Sequence, residues 1–512
     1  MKSAHSDKEL YRQLRLLSPE KLWAEEAARF DQAAPAERLA RVAVVRAVGV
    51  VFSEKGTPAQ KSEARAWLSR LLQDPAEKVR RYAMAALPKM GSGPKEEAEL
   101  LALLQRAPLG REKKFLSRSL EKIGGAATLE AMEAGQAGLQ PQARQKIKAS
   151  VTRGQSPGAI AMDGRLAEFA GLRIQLHCRR GLEQIVREEA EEHIKSRRQF
   201  RLAEVRTGLV ALTPIAPFAL GDLYAMRCPA TFGFVAGLAR GSSREQFAEA
   251  LASLIASPLS RRVLKAFSKG PIRYRLDFKG HQRALVRLVA DAVYAAAPEL
   301  LNDASEAPWT VAVKSAREGD VVELAPRIAP DPRFYYRQDD VPAASHPPLA
   351  ACLARVAGPG ENEIVWDPFC GSGQELIERG LLAGARLLLG TDRSPEAIAV
   401  AEKNFAAARL NLVQARFVCR DFREFASIDG LKPGSVSLVI TNPPMGKRVP
   451  IPDLQRLIED LFRAAAAVLR PGGRLVFANP LRIGSPVPSL KLHSRQIVDM
   501  GGFDCRLEVY RK

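Results

Sequence analysis

Ile364-Val365-Trp366-Asp367-Pro368-Phe369-Cys370-Gly371-Ser372-Gly373 is an apolar run ending in an acid and a glycine turn. A helical pattern, Glu375 to Leu382, follows it. That order predicts a strand, a tight turn and a helix. A second turn, Thr441-Asn442-Pro443-Pro444, ends another apolar run, Val436 to Ile440. In an open parallel sheet both turns fall at the carboxyl edge of the strands, where ligands bind. From Glu363 onward strands alternate with helices: Ile364–Asp367, Arg386–Gly390, Ala415–Cys419, Val436–Thr441, Arg474–Ala478 and Cys505–Tyr510. The alternation predicts a doubly wound α/β domain. Its last strand, after Gly501-Gly502, reads as an edge hairpin partner.

The two turns carry the chemistry. Gly371 and Gly373 remove Cβ atoms where a backbone must approach a ligand closely. The loop has neither the Gly-Lys-Ser/Thr of a P-loop nor the third glycine of the dinucleotide fingerprint, so a cofactor without phosphates is expected. Asp392 ends the second strand about 20 residues after the glycine loop, where an acid can take a ribose diol; the competing reading is a helix N-terminal acid before Pro395. Asp421, in Cys419-Arg420-Asp421-Phe422, follows the third strand and suits the exocyclic amine of an adenine. In Asn442-Pro443-Pro444-Met445 two prolines forfeit two backbone donors and stiffen the turn. An acceptor pair remains, the Asn442 side-chain oxygen and the Pro443 carbonyl. Such a pair binds both hydrogens of an –NH2 group and stabilises the positive charge that builds on nitrogen as it attacks an electrophile. No strong base is needed, and positioning supplies most of the acceleration.

The remaining sequence points to a polyanionic partner. Across 512 residues the net charge is +20, a surplus that favours nucleic acid because many Lys and Arg displace condensed counterions. A GC-rich genome that prefers Arg would give the same count. The six cysteines are scattered and suggest neither a zinc site nor a disulfide framework; reduced thiols fit a cytoplasmic protein. The first residues carry no signal-peptide core, and no run of about 18 apolar residues occurs.

Residues 1–152 read as helical, with apolar spacing at i, i+3, i+4. Asp74 to Leu87 resembles the second helix of a HEAT-type repeat, with weaker echoes at Leu39–Val51 and Phe115–Gly124. The spacing suits stacked helix pairs, although a plain bundle fits as well. This region is basic enough to lie against a phosphate backbone or to be a solvated surface. Val151 to Leu166 reads as a linker. An α+β segment follows, with strands at Leu172–Leu176, Thr207–Thr213 and Ile272–Phe278 and helices at Gly181–Ile194, Phe247–Ala256 and His281–Ala297. Arg261 to Arg287 holds nine basic residues against one acid, Asp277. Lys265, Lys269, Arg273, Arg275 and Lys279, interleaved with Phe267, Tyr274 and Phe278, suit an RNA surface. In the alternative, the aromatics are core and the arginines face outward. Lys447 and Arg448, just after the proline turn, could meet a phosphate.

With these residues in hand, 363–512 resemble a class I S-adenosylmethionine-dependent methyltransferase of the amino-methylating kind. Asp367 to Gly373 followed by an Asn-Pro-Pro turn is similar to the RNA guanine-N2 methyltransferases. Cys178-Arg179-Arg180-Gly181-Leu182-Glu183 resembles the opening of their ferredoxin-like element. Arg333-Phe334-Tyr335-Tyr336-Arg337 and His346-Pro347-Pro348-Leu349-Ala350 resemble their approach to the catalytic domain. The resemblance implies a helical, HEAT-like region at 1–152, a ferredoxin-like plus THUMP module at 165–345 that binds RNA, and a methyltransferase domain at 346–512. It implies that Asp367, Gly371 and Gly373 hold the methionine part of the cofactor. Asp392 then takes the ribose and Asp421 the adenine, with Phe369, Cys370, Arg393 and Phe422 also in the cofactor site. Asn442, Pro443, Pro444 and Met445 form the catalytic turn, with Asn442 also reaching the cofactor. Two departures stand out: Met445 where the family has an aromatic, and Gln374 where it has Thr. The activity implied is methyl transfer to guanosine N2 in tRNA or rRNA. Another amine (adenine N6 or protein glutamine) and a retired catalytic scaffold that still binds RNA are the competing readings.

Overall fold

The computed structural model describes residues 2–512 except 92, 107–109, 136, 138, 140, 281, 343, 361 and 447–449. It forms two compact units. The first holds residues 1–159, 239–256 and 269–313; the second holds 160–238, 257–268 and 314–512. The stretch 165–345 is therefore shared between them.

In the first unit the helices Ala43–Lys55, Glu77–Ala86, Gly110–Ile123 and Pro141–Gln155 stack in series, each against the next. Small residues set the closest approach: a Cβ on Gly49 would stand 2.5 Å from the Ala86 Cβ. The core here is Phe30, Phe52, Trp67 and a run of valines at 42–51. Helix Pro141–Gln155 continues past Val151, so the linker begins later than the sequence suggested. Strands Leu300–Asn302 and Trp309–Ala316 flank Ile272–Asp277 in parallel register.

The second unit has two parts. In one, strand Ile174–His177 lies between Leu209–Pro214 and Thr231–Ala239, antiparallel to both. Phe200–Arg206 pairs with Leu209–Pro214, and helix Glu183–Arg197 packs on these strands. In the other, helix α1 (Pro347–Ala357) leads into β1 (Ile364–Asp367), α2 (Gln374–Ala383), β2 (Leu387–Asp392), α3 (Pro395–Ala408), β3 (Gln414–Cys419), β4 (Val436–Thr441), α4 (Leu454–Val468), β5 (Leu469–Asn479), β6 (Lys491–Asp499) and β7 (Asp504–Arg511). The strand order is β3-β2-β1-β4-β5-β7-β6. Strands β1 to β5 are mutually parallel, and β7 runs antiparallel to β5 and β6.

The order reverses between β1 and β4, so the turns after these two strands meet at the switch point. All six residues of β4 are buried, as expected for a strand covered on both faces. One expectation is corrected: β7 is not the edge of the sheet. It lies between β5 and β6, and β6 is the edge. Strand β6 was missed because Lys491, His493, Ser494 and Arg495 are exposed and polar, which disguises a strand as a loop. The two parts of this unit are tied through Glu378 of α2. Its buried carboxylate takes both Arg227 nitrogens, each at 2.7 Å, and the Tyr336 hydroxyl at 2.7 Å. A two-pronged bond of this kind fixes orientation as well as distance.

Candidate active site

Strand β1 delivers Asp367 to the sheet edge with no exposed surface. One carboxylate oxygen accepts from the Thr441 hydroxyl at 2.6 Å and from the Phe369 amide at 3.0 Å. The other, Oδ2, is buried without a partner. The chain then turns through Gly371 (φ +49°) and Gly373 (φ +81°), conformations that cost an L side chain about 1–2 kcal/mol. Gly373 caps α2, and its amide donates to the Cys370 carbonyl at 2.7 Å.

Asp392, at the end of β2, clasps this loop. Its Oδ2 accepts from the Gly371 amide and its Oδ1 from the Ser394 amide, both at 3.0 Å. A carboxylate has about four lone-pair sites, so two remain for a diol. Asn404 of α3 supports the loop from behind. It is fully buried. It donates to the carbonyls of Ser372 (3.0 Å) and Asp339 (3.1 Å) and accepts from the amides of Gln338 (2.9 Å) and Asp339 (3.2 Å).

Asp421 sits beyond β3 and is partly exposed. It accepts from the Arg423 amide at 3.0 Å and pairs with the Arg423 guanidinium at 3.1 Å. Arg393 lies 3.8 Å from it on a side chain that is 80% exposed. The Phe422 and Phe369 rings pack 4.8 Å apart, closing the floor between the third strand and the glycine loop.

At the end of β4, Asn442 donates from Nδ2 to the Ser345 Oγ at 2.8 Å. Ser345 in turn donates to Glu375. The remaining amide atom, Asn442 Oδ1, is buried with no partner. Pro443 is buried beside it. Met445 turns towards β7, where the Cys505 thiol donates to its sulfur at 3.6 Å. Gln374 donates to Ser372 Oγ at 3.0 Å, a loop-bracing role that a threonine could not fill with the same reach.

The electrostatics are one-sided. Asp367, Glu375 and Asp392 converge on the loop, and among the described residues none of the three has an ion-pair partner. Burial, then the charge of Glu375, holds Asp367 well above the ordinary carboxylate range. Burial pushes Glu375 up to about 7. Burial favours their neutral form, and a positive ligand charge placed beside them would favour the ionised one. The residues therefore fit a ligand that pairs a positive centre with a ribose and an adenine.

The expected site residues thus fall into two groups. Asp367, Phe369, Cys370, Gly371, Gly373, Asp392, Asn442, Pro443 and Pro444 come together at the switch point, with Arg393, Asp421 and Phe422 on its β3 side. Ser345, Glu375 and Asn404 were missed; each lies far from its partner in sequence and carries no motif.

The basic residues divide differently. Lys265, Lys269 and Lys279 are exposed and Arg275 half-buried. Arg273 is a correction: it is 1% exposed and paired with buried Asp303 at 3.3 Å. It cannot face RNA, because its strand turns that position inward. Tyr274 and Phe267 are also core, so they are structural and not stacking platforms. Lys447 and Arg448 lie outside the described residues.

Comparisons with known proteins bear on the segment that carries this site. The family model described as RMKL-like, methyltransferase domain, matches residues 335–483. This segment is thus similar to an RMKL-like methyltransferase domain. A tRNA (guanine(10)-N2)-dimethyltransferase of Methanocaldococcus jannaschii is 31% identical over 150 residues, 28% of this chain and 39% of that protein. The Methanothermobacter thermautotrophicus protein of the same name is 25% identical over 185 residues, 34% of this chain and 52% of that protein. The chain therefore spans about half or less of these two relatives. Outside the methyltransferase domain the likeness is one of fold. The crystal structure of TrmN from Thermus thermophilus covers 67% of this chain and 99% of its own, with a TM-score of 0.52 at 22% identity.

Proposed function

We propose that this protein transfers a methyl group from S-adenosylmethionine to the exocyclic N2 amine of a guanosine in RNA, with tRNA as the first substrate class. The observation that carries the reading is Asn442 Oδ1: a buried acceptor without a partner at the switch point, at the end of the strand that pairs with the one leading into the glycine loop. A buried acceptor left open costs stability, which is tolerated where a ligand supplies the donor. Guanine N2 as the target is supported by the likeness to the two archaeal tRNA (guanine(10)-N2)-dimethyltransferases.

The cofactor supplies an electrophilic methyl group on a positively charged sulfur. Asp367, Gly371 and Gly373, with Phe369 and Cys370, would hold its methionine part. Asp392 would take the ribose with its free lone pairs, and Asp421 the adenine amine, beside Phe422 and Arg393. Asn442 Oδ1 and the Pro443 carbonyl accept the two hydrogens of the target amine and aim its lone pair. As charge builds on that nitrogen, the same acceptors stabilise it. Pro444 keeps the turn from yielding, and Met445 offers an apolar wall to the base. The proton becomes acidic only after bond formation and then passes to bulk solvent. Residues 165–345 contain the RNA-binding, THUMP-type element, in which Lys269, Arg275 and Lys279 of the first unit and Lys265 of the second each offer charge to phosphates. The helical 1–152 region forms a HEAT-like stack.

The test is tritium transfer from labelled S-adenosylmethionine to total tRNA and to rRNA, followed by nucleoside analysis, with Asn442→Ala as control. N2-methylguanosine lost in the variant, by a factor of about 10² to 10³ in kcat, is the expected result. Label on adenosine, or none on either RNA, would overturn it.

A further inference from the structure

Asn442 can work as an acceptor clamp only if its amide faces one way round. Turned over, Nδ2 would meet the target amine donor to donor. Nothing in the Asn-Pro-Pro turn itself chooses between the two, because a side-chain amide is nearly symmetric in shape.

The choice is made behind it. Ser345 Oγ carries one proton and can accept two. In the structure that proton goes to Glu375, so the oxygen can only accept on its other side. It accepts from Asn442 Nδ2 at 2.8 Å, and Oδ1 is left facing away, unpartnered and buried. We propose that Ser345 and Glu375 are positioning residues that set the direction of the Asn442 amide and so switch the amine clamp on. The clamp's chemical use rests on the methyl-transfer reading above, while the amide direction itself does not.

The state of Glu375 decides the direction. As a carboxylate it must receive the serine proton. As a neutral acid it can donate to Ser345 Oγ, which frees the serine proton for Asn442 Oδ1 and permits the reverse orientation. Several groups face Glu375. Asp367, on β1, is a second buried acid that titrates together with it, so the pair sets the midpoint. Glu378, one turn along α2, is held by Arg227 and Tyr336. Tyr336 and Cys370 are kept well above neutrality by burial, and both stay uncharged. Asp392 is engaged with backbone amides. The relay is therefore on above neutrality and off below it.

The experiment uses the full chain labelled with [15N]asparagine. Six asparagines are present, and the Asn442 side-chain pair is identified by its loss in Asn442→Asp. Its two amide protons should shift together through one titration near pH 7. The shift should vanish in Ser345→Ala, which leaves both carboxylates in place but cuts the relay. It should vanish in Glu375→Gln and return in Ser345→Thr. A pair that ignores pH, or that titrates unchanged in Ser345→Ala, overturns the proposal. In parallel, methyl transfer should fall about 100-fold in kcat in Ser345→Ala, with KM for RNA and Kd for the donor held. If wild-type protein labels no RNA yet the amide titrates as stated, the functional reading fails and the positioning role stands. If it labels RNA and the amide is indifferent, the reverse holds.

Discussion

Asp392→Asn tests the glycine loop and the cofactor site together. Asp392 accepts one amide on each oxygen, Gly371 on Oδ2 and Ser394 on Oδ1, both at 3.0 Å. An asparagine keeps the size but turns one acceptor into a donor, which then faces an N–H. Loss of a hydrogen bond to a charged acceptor costs about 1.5–3 kcal/mol. The Gly371 bond holds a residue at φ +49°, so the loop relaxes away from the geometry that grips a ligand. At roughly 1.4 kcal/mol per tenfold, donor affinity should fall by about 10- to 150-fold. Isothermal titration of S-adenosylmethionine measures it, with a thermal melt to establish that the variant is folded. A folded variant that binds the donor within about threefold of wild type would refute both the loop-clasp argument and the assignment of the ribose to this acid.

Other substitutions probe separate parts of the argument. Gly373→Ala should lose about 1–2 kcal/mol of stability, because φ is +81° and the new Cβ would lie 3.2 Å from the Ala401 Cβ; chemical denaturation reads this directly. Glu375→Gln should raise the melting temperature, and by more at pH 8 than at pH 5. The sign follows from burial raising the folded value to about 7: stability held below the unfolded carboxylate range is lost as pH rises through 7, and glutamine has no charge to bury. Arg273→Met should cost about 3–5 kcal/mol by breaking the buried ion pair with Asp303, read by chemical denaturation. Lys265→Ala and Lys279→Ala should leave stability alone, because both side chains are exposed, yet each should lower the salt slope of RNA binding by about one.

The catalytic sheet was legible because its strands are buried on both faces and read as unbroken apolar runs. The glycine loop and the Asn-Pro-Pro turn were legible because each needs particular residue types at particular places. What the sequence hid has physical causes. Strand β6 shows solvent a row of polar side chains and lacks the apolar signature. Arg273 looks like its basic neighbours, and only Asp303, 30 residues on, makes it a core residue. Ser345 meets Asn442 across 97 positions of chain and Glu375 across 30, a proximity that no local pattern encodes. Asp421 was expected as an open acceptor, and the structure adds Arg423 as a competitor for it.

Asn404 has a consequence for thermodynamics. All of its amide hydrogen-bonding groups are spent on backbone, one side on the donor loop through Ser372 and the other on residues 338 and 339, the segment that leads to Ser345. Loop and segment thus rest on one strut and order together. Under the proposed function, equilibrium linkage then requires reciprocity: by whatever factor the methyl donor tightens an amine at Asn442, that amine tightens the donor.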